Sequence, residues 1–261
     1  MAERERKHHR HRRRIRFTKL YGLVSVLVII AAIILGSIVF FRVNNVEVEG
    51  NERYTAEEIM AVADIEYGRN MFLFNKFDVI DDLLSRLPYV DTVTVRRDLP
   101  STIRITVTES SVAAAVEDAE RETWWLVNSK GKILERSATS GSYLQITGLN
   151  PYDPTVGEDL SVETEQRLSL EALLQLLPSL QDRELIDYAQ YIDLSSASVV
   201  VMKYAERLTV RMNLSTDFDY NMRVLATVME EYVEEEWSAS DTGTLDLTND
   251  DGLPHLIKDV G

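Results

Sequence analysis

The chain contains no cysteine among its 261 residues. Disulfide bonds, thiol nucleophiles and cysteine-ligated zinc sites are therefore excluded, and a fold of this size must rely on its apolar core. Histidine is also scarce: the chain has four, and three of them lie in the N-terminal tail at positions 8, 9 and 11. His255 would be the only possible histidine member of a catalytic triad in the body of the chain.

Catalytic and cofactor-binding motifs are also missing. There is no G-x-S-x-G, H-E-x-x-H, Walker loop or G-x-G-x-x-G. Ser129 and Lys132 form S-x-x-K, but this spacing falls in a predicted turn and lacks its companions K-T-G and S-D-N. Asp241-Thr-Gly243 matches the aspartic-protease triplet, but that chemistry needs a second carboxylate to share a proton. The sequence predicts no catalytic, cofactor-binding or metal-binding residues and no cofactor.

Charge is distributed very unevenly along the chain. Residues 1–19 hold nine Lys/Arg and two acidic residues, a net charge of +7, and residues 20–41 hold none. Residues 42–261 hold 19 basic and 41 acidic residues, a net charge of −22. An acidic body argues against nucleic acid as its partner.

Residues 20–41 are almost wholly apolar and form the longest such run. As a helix these 22 residues would extend about 33 Å, enough to cross a hydrocarbon core of about 30 Å. A cleaved signal peptide has a shorter apolar region and small residues at its end, whereas this run ends in the bulky residues 38–41. We therefore predict a single-pass type II anchor, with the basic tail in the cytoplasm, near anionic lipid, and the C-terminal body outside.

The first region after the anchor, residues 42–110, has the predicted order β-α-α-β-β. Apolar and polar residues alternate over 46–49, which is typical of a strand. A capping box then begins a helix near Ala56, and an apolar stripe over 77–87 predicts a second helix. Two alternating runs within 93–107 predict a hairpin.

This order and its local sequence resemble a POTRA domain, in particular that of the bacterial cell-division family FtsQ/DivIB. The resemblance is carried by Val46-Glu-Val-Glu-Gly-Asn51, by Leu87-Pro-Tyr-Val90 and by Val93-Thr-Val-Arg-Arg-Asp-Leu-Pro-Ser-Thr-Ile103. The pattern is fairly specific because it directly follows a single anchor. POTRA domains also occur in outer-membrane assembly and secretion proteins, so a POTRA-bearing secretion chaperone is an alternative.

The second region, residues 111–261, resembles the β domain of the same family. The resemblance covers nearly the whole chain after the tail, and Ala115–Glu122 matches least, which leaves its strand assignment open. A helix is predicted over Thr164–Leu177 with Pro178 after it, and another from Phe218 past Tyr232, whose acidic face through Glu236 we interpret as solvated rather than metal-binding. Strands are predicted at 124–127, 132–134, 144–149, 191–194, 198–204, 207–212, 243–247 and 253–258.

The last predicted strand, residues 253–258, ends the chain's sheet and is expected at its edge. An edge strand exposes main-chain groups that can accept a strand from a partner. Pro254 supports the edge position because proline lacks the N–H donor. Pro254, Lys258 and Asp259 could instead blunt the edge against aggregation, and the residues alone leave both interpretations open. The family resemblance favours partner binding.

The predicted fold class is α+β: one transmembrane helix, a β-α-α-β-β POTRA domain and a mixed α/β domain with a mainly antiparallel sheet. The predicted divisions are a tail at 1–19, the anchor at 20–41, the POTRA at 42–110 and the β domain at 111–261.

The resemblance implies a non-enzymatic division-site scaffold at the septum. Its partners would be FtsB/DivIC-like and FtsL-like coiled-coil membrane proteins and, indirectly, the septal peptidoglycan synthase. A membrane-anchored envelope hydrolase or protease is the alternative. The predicted partner-binding residues on the last strands are Leu247, Leu253, His255, Leu256 and Ile257. Arg207 and Arg211 are predicted to meet an acidic segment of the partner.

Overall fold

The computed structural model describes residues 17–233, 237–238, 240–249 and 253–259. Helix α1 (Phe17–Phe40) contains the predicted anchor. Its segment Tyr21–Phe40 has a hydropathy of 3.1 and is nowhere buried, which makes it long and apolar enough to cross a membrane. The apolar helix is confirmed, whereas its orientation stays a prediction. The expectations for the basic tail concern residues 1–16, which lie outside the described residues.

The region after the anchor has the predicted β-α-α-β-β order. Its three-stranded sheet has the order β1-β3-β2, with β1 parallel and β2 antiparallel to β3. Helices α2 and α3 pack against this sheet around a core that includes Ile59, Leu83 and Ile105. The elements are β1 (Asn45–Glu49), α2 (Ala56–Ala63), α3 (Lys76–Arg86), β2 (Val90–Asp98) and β3 (Thr102–Glu109).

The predicted capping box explains where α2 begins. The Glu58 N–H donates to Thr55 Oγ1 at 3.2 Å, and the Thr55 N–H donates to Glu58 Oε2 at 2.8 Å. Two of the backbone N–H groups that lack intrahelical acceptors at the start of α2 are thereby satisfied. Gly50, just after β1, has φ +81°, and a Cβ there would lie 2.2 Å from the Val107 carbonyl oxygen. Only glycine suits this turn.

The second region is built on one mixed sheet of nine strands in the order β12-β11-β10-β9-β8-β7-β4-β5-β6. The pairs β4–β7, β7–β8 and β10–β11 are parallel, and the other pairs are antiparallel. The strands are β4 (Ala114–Asp118), β5 (Thr123–Val127), β6 (Ile133–Ser137), β7 (Leu144–Thr147), β8 (Ala189–Asp193), β9 (Val199–Tyr204), β10 (Leu208–Asn213), β11 (Gly243–Leu247) and β12 (His255–Lys258).

Two helices, α4 (Arg167–Asp182) and α5 (Phe218–Val228), share one apolar core with this sheet. The predicted end of the first helix at Leu177 is wrong, because α4 continues through Pro178. Proline removes one intrahelical hydrogen bond, but Leu177 and Leu180 on either side of it are fully buried and keep the turn in place. Helix α5 continues as a π-helix over Met229–Val233; its predicted acidic residues 234–236 lie outside the described residues.

The segment whose assignment the sequence left open, Ala115–Glu122, begins in an interior strand, β4, and ends in the turn that follows it. Strand β4 pairs with β5 on one side and with β7 on the other. Ala114, Ala115 and Val116 are each 0% exposed, so the strand is buried on both faces. A strand buried on both faces lacks the alternation of apolar and polar residues by which strands are recognised.

The strand β4 ends in a buried carboxylate. Asp118 is 2% exposed and accepts hydrogen bonds from Trp125 Nε1 at 3.0 Å and from the Arg121 guanidinium at 2.8 Å. Burial by itself would raise the pKa of Asp118, but these hydrogen bonds outweigh it and lower the pKa below its usual value.

Lys132 joins the two regions. Its ammonium donates to the carbonyl oxygens of Leu84, in the last turn of α3, and of Val90, at 3.2 and 3.0 Å. Burial lowers the pKa of Lys132. Nearby, the Tyr89 hydroxyl donates to Glu135 at 2.8 Å, and burial together with this bond raises the pKa of Tyr89 to about 12. Lys132 of the S-x-x-K motif therefore has a structural role.

We expect Asp118→Ala to lower the free energy of unfolding by about 1–3 kcal/mol, because the buried Trp125 indole N–H would lose its acceptor. Urea unfolding of the full chain in detergent, followed by tryptophan fluorescence, measures this loss. The neighbouring exposed residue provides the control, Glu120→Ala. Equal stability of the two variants would contradict the structural role of Asp118. Because folding lowers the pKa of Asp118, the difference in unfolding free energy between the wild type and Asp118→Ala should narrow as the pH falls through that pKa.

Candidate partner-binding edge

Strand β12 lies at one end of the nine-stranded sheet. It pairs antiparallel with β11, with Gly243 opposite Lys258 and Asp246 opposite His255. The next strand, β10, lies on the far side of β11 and is parallel to it. Within the described residues, no strand pairs with the other side of β12.

One hydrogen bond just beyond the end of β12 shows which side of the strand each residue's N–H and C=O groups face. The Asp259 N–H donates to the Thr242 carbonyl at 2.9 Å. Hydrogen-bonded and non-bonded pairs alternate in an antiparallel ladder, so His255 and Ile257 bond towards β11. The N–H and C=O groups of Leu256 and Lys258 therefore face the outer edge.

The side chains of this edge are largely apolar. Leu253 is 62% exposed and Ile257 is 59% exposed, whereas Leu256 is half-buried and packs on the core. Leu247 and Leu253 border a groove of about 180 Å³ between the last strands and α5. Strand β12 begins at His255, two residues after the predicted start, so Leu253 precedes it. The structure thus brings Leu247 of β11, Leu253 and the three predicted residues of β12 to one edge and its adjoining groove.

Charged groups lie beside these apolar residues. Asp246 accepts a hydrogen bond from the Thr248 hydroxyl at 2.6 Å and faces Arg211 at 3.7 Å. The hydrogen bond from Thr248 is the main cause that lowers the pKa of Asp246, and the charges of Arg211 and His255 add to it. Asp246 lies opposite His255, so the exposed Arg211 guanidinium lies near the start of β12.

Arg207 has a different environment. Its guanidinium donates to the carbonyl oxygens of Ser238 at 2.7 Å and of Asp241 at 3.3 Å, and its side chain is half-buried. These bonds hold the loop that leads into β11. Contact between Arg207 and a partner stays a prediction, and the geometry favours an internal role.

Asp241, from the D-T-G triplet, belongs to the same loop. Its carboxylate binds Lys258 and accepts a hydrogen bond from the Ser238 N–H at 2.7 Å. The hydrogen bond from Lys258 lowers the pKa of Asp241. In the part of the chain that the structure describes, no three metal-binding side chains cluster.

Two residues of the edge were missed by sequence reasoning, Trp237 and Gly243. A Cβ on Gly243 would lie 2.4 Å from the Trp237 ring and 2.5 Å from the Ile257 carbonyl oxygen. The Lys258 ammonium lies 5.6 Å from the centre of the same ring. The one available signal was a glycine at the start of a predicted strand, which often marks a close approach.

Comparison with known proteins gives one family match. Residues 41–110 match the model of the POTRA domain, FtsQ-type. The chain is 32% identical over 111 residues to the cell division protein FtsQ of Corynebacterium glutamicum, covering 42% of this chain and 49% of that protein. It is 24% identical over 161 residues to the cell division protein DivIB of Clostridium botulinum strain Hall, covering 61% and 62% respectively.

The matched part spans between about half and three fifths of these relatives' length. Among solved structures, the major extracytoplasmic domain of the cell division protein DivIB from Geobacillus stearothermophilus matches with a TM-score of 0.30 and 15% identity. That match covers 48% of this chain and 98% of the other.

We expect Gly243→Ala to detach β12 from β11, because the added methyl group cannot fit between the Trp237 ring and the Ile257 carbonyl. Hydrogen exchange of the full chain in detergent should show faster exchange of the Ile257 amide, which faces β11. Gly36→Ala is the control, since Gly36, like Gly243, has no positive φ but has open space around its Cβ position. Unchanged protection at Ile257 in Gly243→Ala would refute the packing constraint.

Proposed function

We propose that this chain, which belongs to the FtsQ/DivIB family of bacterial cell-division proteins, is a non-enzymatic scaffold of the division site. It recruits and stabilises small coiled-coil membrane proteins of the FtsB/DivIC and FtsL type outside the membrane. Through them it supports septal peptidoglycan synthesis. The observation that carries this proposal is that, among the described strands, none pairs with the outer side of β12.

The edge supplies what strand addition requires. The main-chain groups of Leu256 and Lys258 face outward and can bond an added strand, which provides affinity. Exposed Leu253 and Ile257 lie beside them and provide apolar contacts that fix the register. A partner segment that adopts an extended conformation would continue the sheet by a tenth strand.

The alternative of a blunted edge is weakened by the contacts of its two charged side chains, Lys258 and Asp259. The Lys258 ammonium is engaged with Asp241 and the Trp237 ring. The Asp259 carboxylate accepts a hydrogen bond from the Thr242 hydroxyl at 2.7 Å. Edge charges protect against strand pairing when they project into the path of an incoming strand, and both of these charges are held by the loop before β11.

The proposed topology follows from charge. The basic tail, residues 1–19, lies in the cytoplasm, the anchor spans residues 20–41, and the body lies outside the cell membrane at the septum. The proposed limits of the two outer domains are 42–110 and 111–261. The end of β3 at Glu109 and the start of β4 at Ala114 support a boundary between them.

We expect Ile257→Glu to abolish most partner capture, because it places a charge where the added strand must pack. The full chain would be purified from membranes of the source cells and its co-purifying proteins quantified. Leu168→Glu is the matched control, because Leu168 is 57% exposed on the same domain but lies in α4. The expected result is at least a tenfold loss of small coiled-coil division proteins with Ile257→Glu and no loss with Leu168→Glu.

Two other outcomes would count against the proposal, one against the site and one against the function. Equal capture by both variants would remove β12 as the contact. Capture of no division protein by the unmodified chain would count against the scaffold function itself, and assays for peptidoglycan or protein hydrolysis would then test the alternative.

We expect Arg211→Gln to weaken partner binding several-fold at low salt and less at high salt, because an exposed charge at the rim of an interface acts by screened attraction. Binding of the purified partner to the full chain in detergent at two salt concentrations measures this change. Arg167→Gln is the control, since Arg167 is an exposed cation paired to Glu171 on α4. Identical binding by the two variants would remove Arg211 from the proposed site.

A further inference from the structure

The POTRA region carries an unusual distribution of exposed apolar side chains. Within residues 41–110, five large apolar side chains are exposed, and they fall in two segments. Four lie in or next to the connection between α2 and α3, and the fifth lies in the turn between β2 and β3. They are Tyr67 at 63%, Phe72 at 53%, Leu73 at 69%, Phe77 at 62% and Leu99 at 60%.

The first segment is bound directly to the end of the membrane helix. The Asn70 side-chain amide donates to the carbonyl oxygens of Ser37 at 3.0 Å and Ile38 at 3.3 Å, in the last turn of α1. The Met71 N–H donates to the Phe41 carbonyl at 3.0 Å. The rings of Phe41 and Phe72 are 5.4 Å apart in an edge-on arrangement.

The second segment lies at the same end of the sheet. The N–H groups of Asn44 and Asn45 donate to the Ser101 carbonyl at 2.9 and 3.2 Å. Asn44 follows the membrane helix almost at once, so the turn containing Leu99 is held close to the point where the chain leaves the bilayer. Both apolar segments therefore surround the outer end of α1.

We propose that this membrane-facing rim, residues 67–77 and 98–101, is embedded in the lipid–water interface of the bilayer that α1 spans. The rim would attach the POTRA region to the membrane a second time, in addition to α1. The POTRA region would then be held against the bilayer and would not swing on a flexible linker. This inference is independent of the partner that β12 binds.

The composition of the rim suits an interface. Aromatic side chains concentrate at the boundary between hydrocarbon and water, where cations also contact lipid phosphates. The Lys76 ammonium lies 5.1 Å from the Phe77 ring centre. Lys76 thus has an aromatic side chain beside it, an arrangement that buries the ring while the charge stays at the headgroups. The half-buried Arg97 guanidinium has a different role, because it donates to the carbonyl oxygens of Met71 and Phe74 at 2.7 and 3.2 Å and so holds the rim in place.

A lipid surface is favoured over a protein partner by position. The Ser37 and Ile38 carbonyls belong to the apolar span Tyr21–Phe40, and Asn70 is bonded to both of them. A helix rises about 1.5 Å per residue, so this contact lies within one turn of the span's end. Lipid already surrounds that turn, and the exposed apolar side chains next to it need no other cover.

The absence of cysteine in the natural chain makes a direct test possible. The single-cysteine variants Leu73→Cys, Leu99→Cys and Leu168→Cys each replace an exposed residue, and each would carry a polarity-sensitive fluorophore. The full chain is reconstituted into vesicles of phosphatidylcholine and phosphatidylglycerol. Quenching of the fluorophore is measured with iodide in the aqueous phase and with two nitroxide-labelled lipids. One lipid carries the nitroxide close to the ester carbonyl of its acyl chain, and the other carries it close to the acyl-chain end. Tryptophan emission checks that each variant is folded.

For labels at Leu73 and Leu99 we expect blue-shifted emission, several-fold stronger quenching by the shallow nitroxide than by the deep one, and several-fold weaker quenching by iodide than at Leu168. Labels at Leu73 and Leu99 that behave like the label at Leu168 would overturn the proposal. Shielding at Leu73 alone would overturn the two-segment surface. Shielding that requires added membrane proteins from the source cells would assign the rim to a protein partner instead of lipid.

Discussion

The parallel pairing of β10 with β11 is the constraint on which the candidate site depends. Two parallel neighbours cannot be joined by a tight turn, so the chain must cross over before it returns to the sheet. Helix α5 provides the crossover, and its residues Met222 and Leu225 are fully buried in the core. Once β11 is placed, β12 can only fold back along its outer side, where it becomes the edge.

Two residues make that return possible, Arg207 and Gly243. Arg207, just before β10, holds the incoming loop through the Ser238 and Asp241 carbonyls. Gly243 then lets β11 pass between the Trp237 ring and the Ile257 carbonyl. The position of the edge is therefore set by contacts on the inner side of β12, and no described strand pairs with its outer main-chain groups.

The elements of the POTRA region could be predicted from the sequence because each has a local cause: a capping box at Thr55, an apolar stripe in α3 and alternation in the hairpin. Other features could not. Strand β4 has no alternation because both of its faces are buried, and Pro178 is tolerated because neighbouring leucines are buried. The positive charge of Arg207 suggested contact with an acidic partner. In the structure its guanidinium instead bonds to a loop of the same chain more than 30 residues away in sequence.

The same distinction applies to the edge itself. The sequence predicted a terminal strand and its apolar residues, but two interpretations remained because Lys258 and Asp259 could serve as repelling charges. Both side chains are bound to the loop before β11, at Asp241 and Thr242. Recognition would then rest on main-chain hydrogen bonds and on Leu253 and Ile257, so a partner would be selected by its ability to form a strand in the correct register. Charge would affect mainly how fast it arrives.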